Sequence, residues 1–136
     1  MLCLGRRFTC FYALFFLAAL HWPANASDPF PFGSELMLDA APMQGTKRMP
    51  MLQIDDNGST SIDLWCTSVQ AQATVGGDGT ITIVPGATQP AQCTPERESI
   101  DGDLITALTQ ATNWRRNGDI VELTGSTTLR FRLMTN

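Results

Sequence analysis

Two cysteines, Cys66 and Cys93, constrain the fold of this chain more than any other pair of residues. If the chain is exported, an even number of cysteines favours a disulfide, because compartments outside the cytoplasm are oxidising. The alternative is a pair of buried free thiols. A bridge would close a loop of ~28 residues and remove about 3–4 kcal/mol of unfolded-state entropy. We therefore predict a structural disulfide between Cys66 and Cys93.

The first 26 residues are typical of an export signal. They contain a basic pair at Arg6 and Arg7, an apolar run over residues 8–20, and the cleavable pattern Ala24-Asn25-Ala26. The run of about 13 apolar residues is shorter than the ~20 that a transmembrane helix needs. We expect a cleaved signal peptide over residues 1–26, no transmembrane segment after cleavage, and a periplasmic or secreted protein.

The charge of residues 27–136 excludes some classes of partner. Arg6 and Arg7 are two of the nine basic residues, so seven remain against thirteen acidic residues. A chain with this excess of acid does not attract phosphate backbones, and nucleic acid is not an expected partner. His21, the only histidine, precedes the expected cleavage point. No Ser-His or Cys-His pair remains, zinc loses its commonest nitrogen ligand, and we expect no catalytic residue, no metal site and no cofactor.

Carboxylates are the groups left for catalysis. The candidates are Asp55, Asp56, Asp63, Asp101 and Asp103. A hydrolase with paired carboxylates is chemically conceivable. However, Asp55 and Asp56 border a turn, where acids are favoured for backbone reasons, and we expect Asp101 and Asp103 on the solvated side of a helix. Since no acid–base pair can be named, the sequence predicts a protein that is not an enzyme.

Apolar residues mostly alternate with polar ones from Gly33 onwards, which is typical of antiparallel strands. Residues 27–32, with Pro29 and Pro31, read as an extended lead-in. The predicted strands cover residues 34–39, 49–55, 60–68, 69–75, 80–84, 113–116, 119–124 and 128–133. One helix interrupts them, with Thr94 as its N-cap, and its apolar stripe is expected to lie on the sheet. The stripe consists of Ile100, Leu104, Leu108 and Ala111.

Hairpin registers can be predicted as well, because a slip of one residue exchanges the two faces of a strand. A three-residue loop at Gly77-Asp78-Gly79 places Val75 opposite Ile81, so that apolar residues share a face. The other predicted pairs are Leu52 with Ile62, Leu123 with Leu129, and Trp114 with Val121 across a two-residue Asn117-Gly118 turn.

Several motifs resemble those of the META domain family of small, mostly bacterial cell-envelope proteins. The family's opening G-x-x-W-x-L strand is similar to Gly33-Ser34-Glu35-Leu36-Met37-Leu38, with Leu36 in place of tryptophan. Its two cysteine motifs, G-C-N and T-x-M-A-C, correspond to Trp65-Cys66-Thr67 and to residues 88–93. A later G-x-x-L-x-L motif resembles residues 118–123.

The resemblance implies an α+β domain over residues 33–136. Its expected fold is a strongly curved antiparallel β-sheet, or a partly open β-barrel, with one packed α-helix. It implies little about activity, since the family has no established chemistry and a fold does not bring a function with it.

Four arginines are candidates for a binding surface. Arg130 and Arg132 alternate with apolar residues on the last strand, and Arg115 and Arg116 are expected nearby. Such a surface suits an acidic partner or an envelope glycan, whereas the alternative is an ordinary solvated strand face.

The sequence therefore predicts a non-catalytic, monomeric, envelope-associated module for binding or stress tolerance, whose partner is an unknown envelope protein or glycan. The alternative is a small inhibitor of a secreted hydrolase, which a protruding, ordered loop over residues 43–49 would favour. A carboxylate-dependent hydrolase is the third reading.

Overall fold

The computed structural model describes residues 28–89 and 91–135. The expected signal peptide, residues 1–26, lies outside the described residues. Within them the chain forms eight strands and one helix. In order these are β1 (Leu36–Leu38), β2 (Met51–Ile54), β3 (Ser59–Asp63), β4 (Ser68–Val75), β5 (Ile81–Thr88), α1 (Pro95–Thr109), β6 (Asn113–Asn117), β7 (Ile120–Thr124) and β8 (Thr128–Leu133).

The strands form a single antiparallel sheet in the order β5-β4-β3-β2-β1-β8-β7-β6. The sheet curls into a half-barrel whose two edge strands meet at one end. There Thr80 bridges Asn113, and the backbone N–H of Trp114 donates to the Gly79 carbonyl at 2.8 Å. The predicted fold, a curved antiparallel sheet with one packed helix, is confirmed.

The core fills the concave side of the sheet, where alternate residues of the strands are buried. Helix α1 covers this side through Leu104 and Leu108, and Ala111 follows it. Each fully buried leucine contributes about 1.5–3 kcal/mol to folding. Ile100, predicted to belong to the same stripe, is instead 40% exposed. Asp101 takes the inward position in the first turns of the helix, so the predicted stripe is correct from Leu104 onwards and wrong only at its first residue.

Three of the four predicted registers are confirmed. Val75 pairs with Ile81, Leu52 with Ile62, and Leu123 with Leu129. The fourth is wrong, because Trp114 lies opposite Leu123 rather than Val121, and Gly118 and Asp119 form the turn. Both registers place Trp114 on the buried face, since they differ by two residues, so hydrophobic alternation could not distinguish them. The observed register sets Arg115 opposite Glu122, and these two side chains form an ion pair.

Two strand ends also differ from the prediction. Strand β5 continues to Thr88, although Pro85 and Gly86 suggested an end at residue 84. It is an edge strand with an irregular register against β4, and proline is tolerated on such strands. Strand β3 ends at Asp63 rather than at residue 68 because residues 64–67 turn around the carboxylate of Asp101.

Candidate binding cleft at the open end of the half-barrel

A cleft of about 680 Å³ lies where the two edges of the sheet meet. Three segments far apart in the sequence form it: the lead-in, the β4–β5 turn and the start of β6. Its lining residues are Asp28, Pro29, Phe30, Phe32, Val75, Gly76, Gly77, Asp78, Gly79, Asn113 and Trp114. Pockets of about 300–1,000 Å³ are typical of small-molecule sites.

The lead-in is fixed across the end of the half-barrel by its own contacts. Phe30 is buried, and its ring packs edge-on against Trp114 with centroids 5.2 Å apart. The backbone N–H of Gly118 donates to Asp28 Oδ2 at 2.9 Å, and Arg116 donates to the Pro29 carbonyl at 3.1 Å. The segment read from the sequence as an extended lead-in therefore forms one wall of the cleft.

The opposite wall is the β4–β5 turn. Trp114 Nε1 donates to the Gly76 carbonyl at 2.9 Å and so attaches the indole ring to the turn. Gly79 has φ +89°, which is unfavourable for residues with a side chain, and this accounts for glycine at the end of the three-residue loop. Because Gly76 and Gly77 have no side chains, the rim of the cleft consists of backbone atoms at these two positions.

The charged groups in the lining are carboxylates. Asp78 Oδ1 accepts hydrogen bonds from the Thr80 hydroxyl at 2.6 Å and from the Thr80 backbone N–H at 3.1 Å. These bonds lower the pKa of Asp78 below its ordinary value of 3.8, the hydroxyl having the larger effect, so the group stays ionised in weak acid. Asp28 is the second carboxylate, and no Lys or Arg is among the described lining residues.

The cleft thus combines aromatic rings with hydrogen-bond acceptors. Phe30, Phe32 and Trp114 supply the rings, and Phe32 is 41% exposed. This combination is suited to binding a ligand, and one oxygen of each lining carboxylate bonds the backbone of a turn. Sequence reasoning did not find the cleft; the cluster of aromatic residues beside two prolines in residues 28–32 was the available signal.

A second polar arrangement joins helix α1 to the β3–β4 turn. Cys66, in the turn, and Cys93, just before the N-cap of the helix, form a disulfide with Cα atoms 6.0 Å apart. Asp101 Oδ1 accepts from the backbone N–H of Trp65 at 2.8 Å. Asp101 Oδ2 accepts from the N–H groups of Cys66 and Thr67 and from the Thr67 hydroxyl, at 2.9–3.1 Å.

The prediction that Asp101 lies on the solvated side of the helix is therefore wrong. Its exposed fraction is 4%, whereas Asp103 is exposed as expected. The signal was its spacing, because residue 101 precedes Leu104 and Leu108 by three and seven positions and shares their face. The carboxylate and the two sulfur atoms of the bridge lie within 4.8 Å of one another. The sulfur atoms are bonded to each other, so neither is a thiolate ligand, and the role of this cluster is structural.

The structure brings three of the four candidate arginines together on the outer face of β6 and β8. Arg115 forms an ion pair with Glu122 at 2.5 Å, and Glu122 also lies 3.9 Å from Arg130. Arg130 and Arg132 approach Asp39 at 4.0 Å and 3.8 Å. These arginines alternate with acidic partners, so the surface carries charges of both signs.

The fourth arginine lies apart from the other three. Arg116 is on the opposite face of β6, where its Nε donates to the Gly118 carbonyl at 2.8 Å and its NH1 donates to the lead-in. It therefore supports the wall of the cleft and does not contribute to the outer arginine face.

The loop between β1 and β2, which contains residues 43–49, is attached to the domain at two points. Arg97 of helix α1 donates to the Gly45 carbonyl at 3.2 Å. Arg48 pairs with Asp63 at 3.3 Å and donates to the Ser68 hydroxyl at 3.0 Å. These contacts hold the segment against neighbouring elements and order it, which is one of the two features of this loop that would favour an inhibitor.

The part of the chain that contains the sheet and the helix matches a known protein family. The model of the META domain family matches residues 34–135. The chain belongs to the META domain family. The resemblance predicted from the cysteine and strand motifs is thereby confirmed. No curated protein and no solved structure matches the chain significantly.

The matched region of this META domain begins after the lead-in. Residues 28–33, which form one wall of the cleft, precede the first matched residue. Across residues 28–89 and 91–135, no helix is both long and apolar enough to cross a membrane.

Proposed function

We propose that this META domain protein is an exported, non-catalytic module that binds an envelope ligand in the cleft at the open end of the half-barrel. The observation that carries the proposal is the aromatic-walled cleft of about 680 Å³. The cleft has the size of ordinary ligand sites, and its walls are fixed by hydrogen bonds before any ligand arrives.

Export is part of the proposal and has two supports. The first is the signal-like composition of residues 1–26, and the second is the disulfide, which persists in oxidising compartments and is rare in the cytosol. A monomeric domain in the periplasm or outside the cell would meet envelope proteins and glycans, and a role in tolerance of envelope stress is consistent with that location.

Binding is better supported than catalysis because the acidic side chains have other roles. Asp55 and Asp56 lie at the β2–β3 turn, and neither lines the cleft. Asp101 is saturated with backbone donors. A general acid or base needs a carboxyl group that can reach a substrate proton, and none of these three is placed in the cleft.

The proposal is tested by placing a charge on the wall of the cleft. Phe32 and Val84 are both large, apolar and substantially exposed, at 41% and 59%, but only Phe32 lines the cleft. We expect Phe32→Arg to reduce survival of envelope stress, and retention of envelope ligands by immobilised protein, by about tenfold or more. Val84→Arg at matched expression is the control and should behave as the wild type. Equal activity of the two variants would contradict the proposal.

A further inference from the structure

We infer that the cleft binds a small organic cation, an amine or guanidinium group carried on an apolar body. The inference rests on the proposed function, since it names the class of ligand for the same cleft. It follows from the charge of the lining, from the state of its hydrogen-bond donors and from its aromatic walls.

The charge of the lining is negative. Asp28 and Asp78 are its charged residues, and each uses one carboxylate oxygen for a backbone N–H while the other makes no hydrogen bond to the described residues. The nearest arginine, Arg116, is occupied by the carbonyl groups of Gly118 and Pro29. A cationic ligand therefore meets two free carboxylate oxygens, whereas an anionic ligand meets repulsion.

Three of the donors around the cleft are already used. Trp114 Nε1 donates to the Gly76 carbonyl, the N–H of Gly76 donates to the Thr80 carbonyl at 2.9 Å, and the N–H of Gly79 donates to the Gly76 carbonyl at 3.1 Å. An anion or a carbonyl ligand could use these three donors only by breaking their present bonds. An ammonium or guanidinium group supplies its own donors and needs acceptors only.

The aromatic walls fit the same class of ligand. The rings of Phe30 and Phe32 lie 5.0 Å apart, and Phe30 contacts Trp114 edge-on. An aromatic face attracts a cation electrostatically, and the same rings bury an apolar body. The excess of acid in the whole chain, thirteen acidic against nine basic residues, also raises the local concentration of cations.

The experiment uses three probes of equal shape on the purified protein: 2-phenylethylammonium, 2-phenylethanol and phenylacetate. Binding is measured by titration calorimetry. The position of the bound probe is identified from changes in the amide chemical shifts of Gly76, Gly77 and Gly79. We expect the ammonium probe to bind about fivefold tighter than the neutral alcohol, with the anion weakest. The preference should decline as the salt concentration rises, because the carboxylates are exposed.

Two double variants separate the charge of the cleft from the charge of the whole protein. Asp28→Asn with Asp78→Asn removes both lining charges, and the asparagine oxygen can still accept the backbone hydrogen bonds. We expect this variant to bind the ammonium and the alcohol equally. Asp56→Asn with Asp103→Asn removes two exposed charges outside the cleft and should keep the preference.

Equal binding of the ammonium and the alcohol by the wild type would overturn the inference and leave the cleft as a binding site. Equal loss of preference in both double variants would overturn it too, because the selectivity would then come from net charge. Amide shifts that stay unchanged with every probe would also overturn it. The comparison of Phe32→Arg with Val84→Arg decides the proposed function separately.

Discussion

Asp101 is the residue on which the contact between helix and sheet most depends. Its carboxylate is buried and accepts four hydrogen bonds from three consecutive residues of the β3–β4 turn. A buried carboxylate is tolerated only when its lone pairs are satisfied, and here the backbone N–H groups of residues 65–67 satisfy them. Residues 65–67 are not paired in a strand. Without Asp101, their backbone N–H groups would lose their hydrogen bonds to water on folding and gain none in return.

Replacing Asp101 should therefore be costly. Asp101→Ala leaves three backbone donors without an acceptor, and we expect the free energy of unfolding to fall by about 3 kcal/mol. Thermal unfolding should show a midpoint lower by roughly 10–20 °C for a domain of this size. Asp103→Ala, two residues along the same helix and exposed, should change the free energy by less than about 0.5 kcal/mol. Similar midpoints for both variants would show that the hydrogen bonds to the turn do not stabilise the fold.

Since the sequence assigns no catalytic role to Asp55, Asp56, Asp101 or Asp103, it predicts that replacing any one of them by asparagine leaves activity nearly intact. The structure removes Asp101 from that group. An asparagine there keeps one acceptor oxygen but turns an NH₂ group towards backbone N–H donors, so the folded population would decrease.

At the scale of elements, the disulfide and Asp101 act on the same junction. Both connect the β3–β4 turn to helix α1, one covalently before the N-cap and one from the second turn of the helix. The N-cap lies between them, where the Thr94 hydroxyl accepts from the N–H of Arg97. The junction is therefore held at two positions, Cys93 and Asp101, which lie on either side of the capped start of the helix.

Reduction of Cys66–Cys93 should lower the free energy of unfolding by about 3 kcal/mol and preserve the fold, because the bonds to Asp101 remain. After the expected removal of residues 1–26, which contain Cys3 and Cys10, the native, unreduced protein should contain no thiol reactive towards a standard thiol reagent. We also expect the double change, reduction with Asp101→Ala, to differ from the sum of the two single effects, since neighbouring interactions couple. Denaturant unfolding of the four forms measures this. Identical midpoints with and without reductant would contradict a stabilising bridge.

At the scale of the whole molecule, the half-barrel is completed by residues that do not belong to its strands. Edge strands β5 and β6 meet only around Thr80 and Asn113, and the lead-in covers the adjoining end with Phe30. The ring of Phe30 is thus part of the core, although it lies before the first strand and before the region matched by the family. The lead-in therefore both covers this end of the half-barrel and forms one wall of the cleft.

Phe30→Ala should show this dependence. We expect a loss of about 3 kcal/mol in the free energy of unfolding, because a buried ring that contacts Trp114 is removed. Phe32→Ala, two residues away and 41% exposed, should be nearly neutral for stability. Chemical denaturation of both variants provides the comparison. A small effect of Phe30→Ala would mean that the lead-in is not part of the folded unit.

The local sequence predicts those features of this protein that depend on contacts between residues close together in the chain. Strand periodicity, turn glycines and the Thr94 cap act over a few residues, and so the strands, the helix and three registers were predicted. The register of β6 with β7 was not, because alternation is unchanged by a shift of two residues. The partners of Asp101 and the place of the cleft required the folded structure. The spacing of Asp101 from Leu104 and Leu108 and the aromatic residues of the lead-in are local signals, but they do not identify partners. The residues that bond Asp101 are 34 to 36 positions away, and the walls of the cleft come from three distant segments.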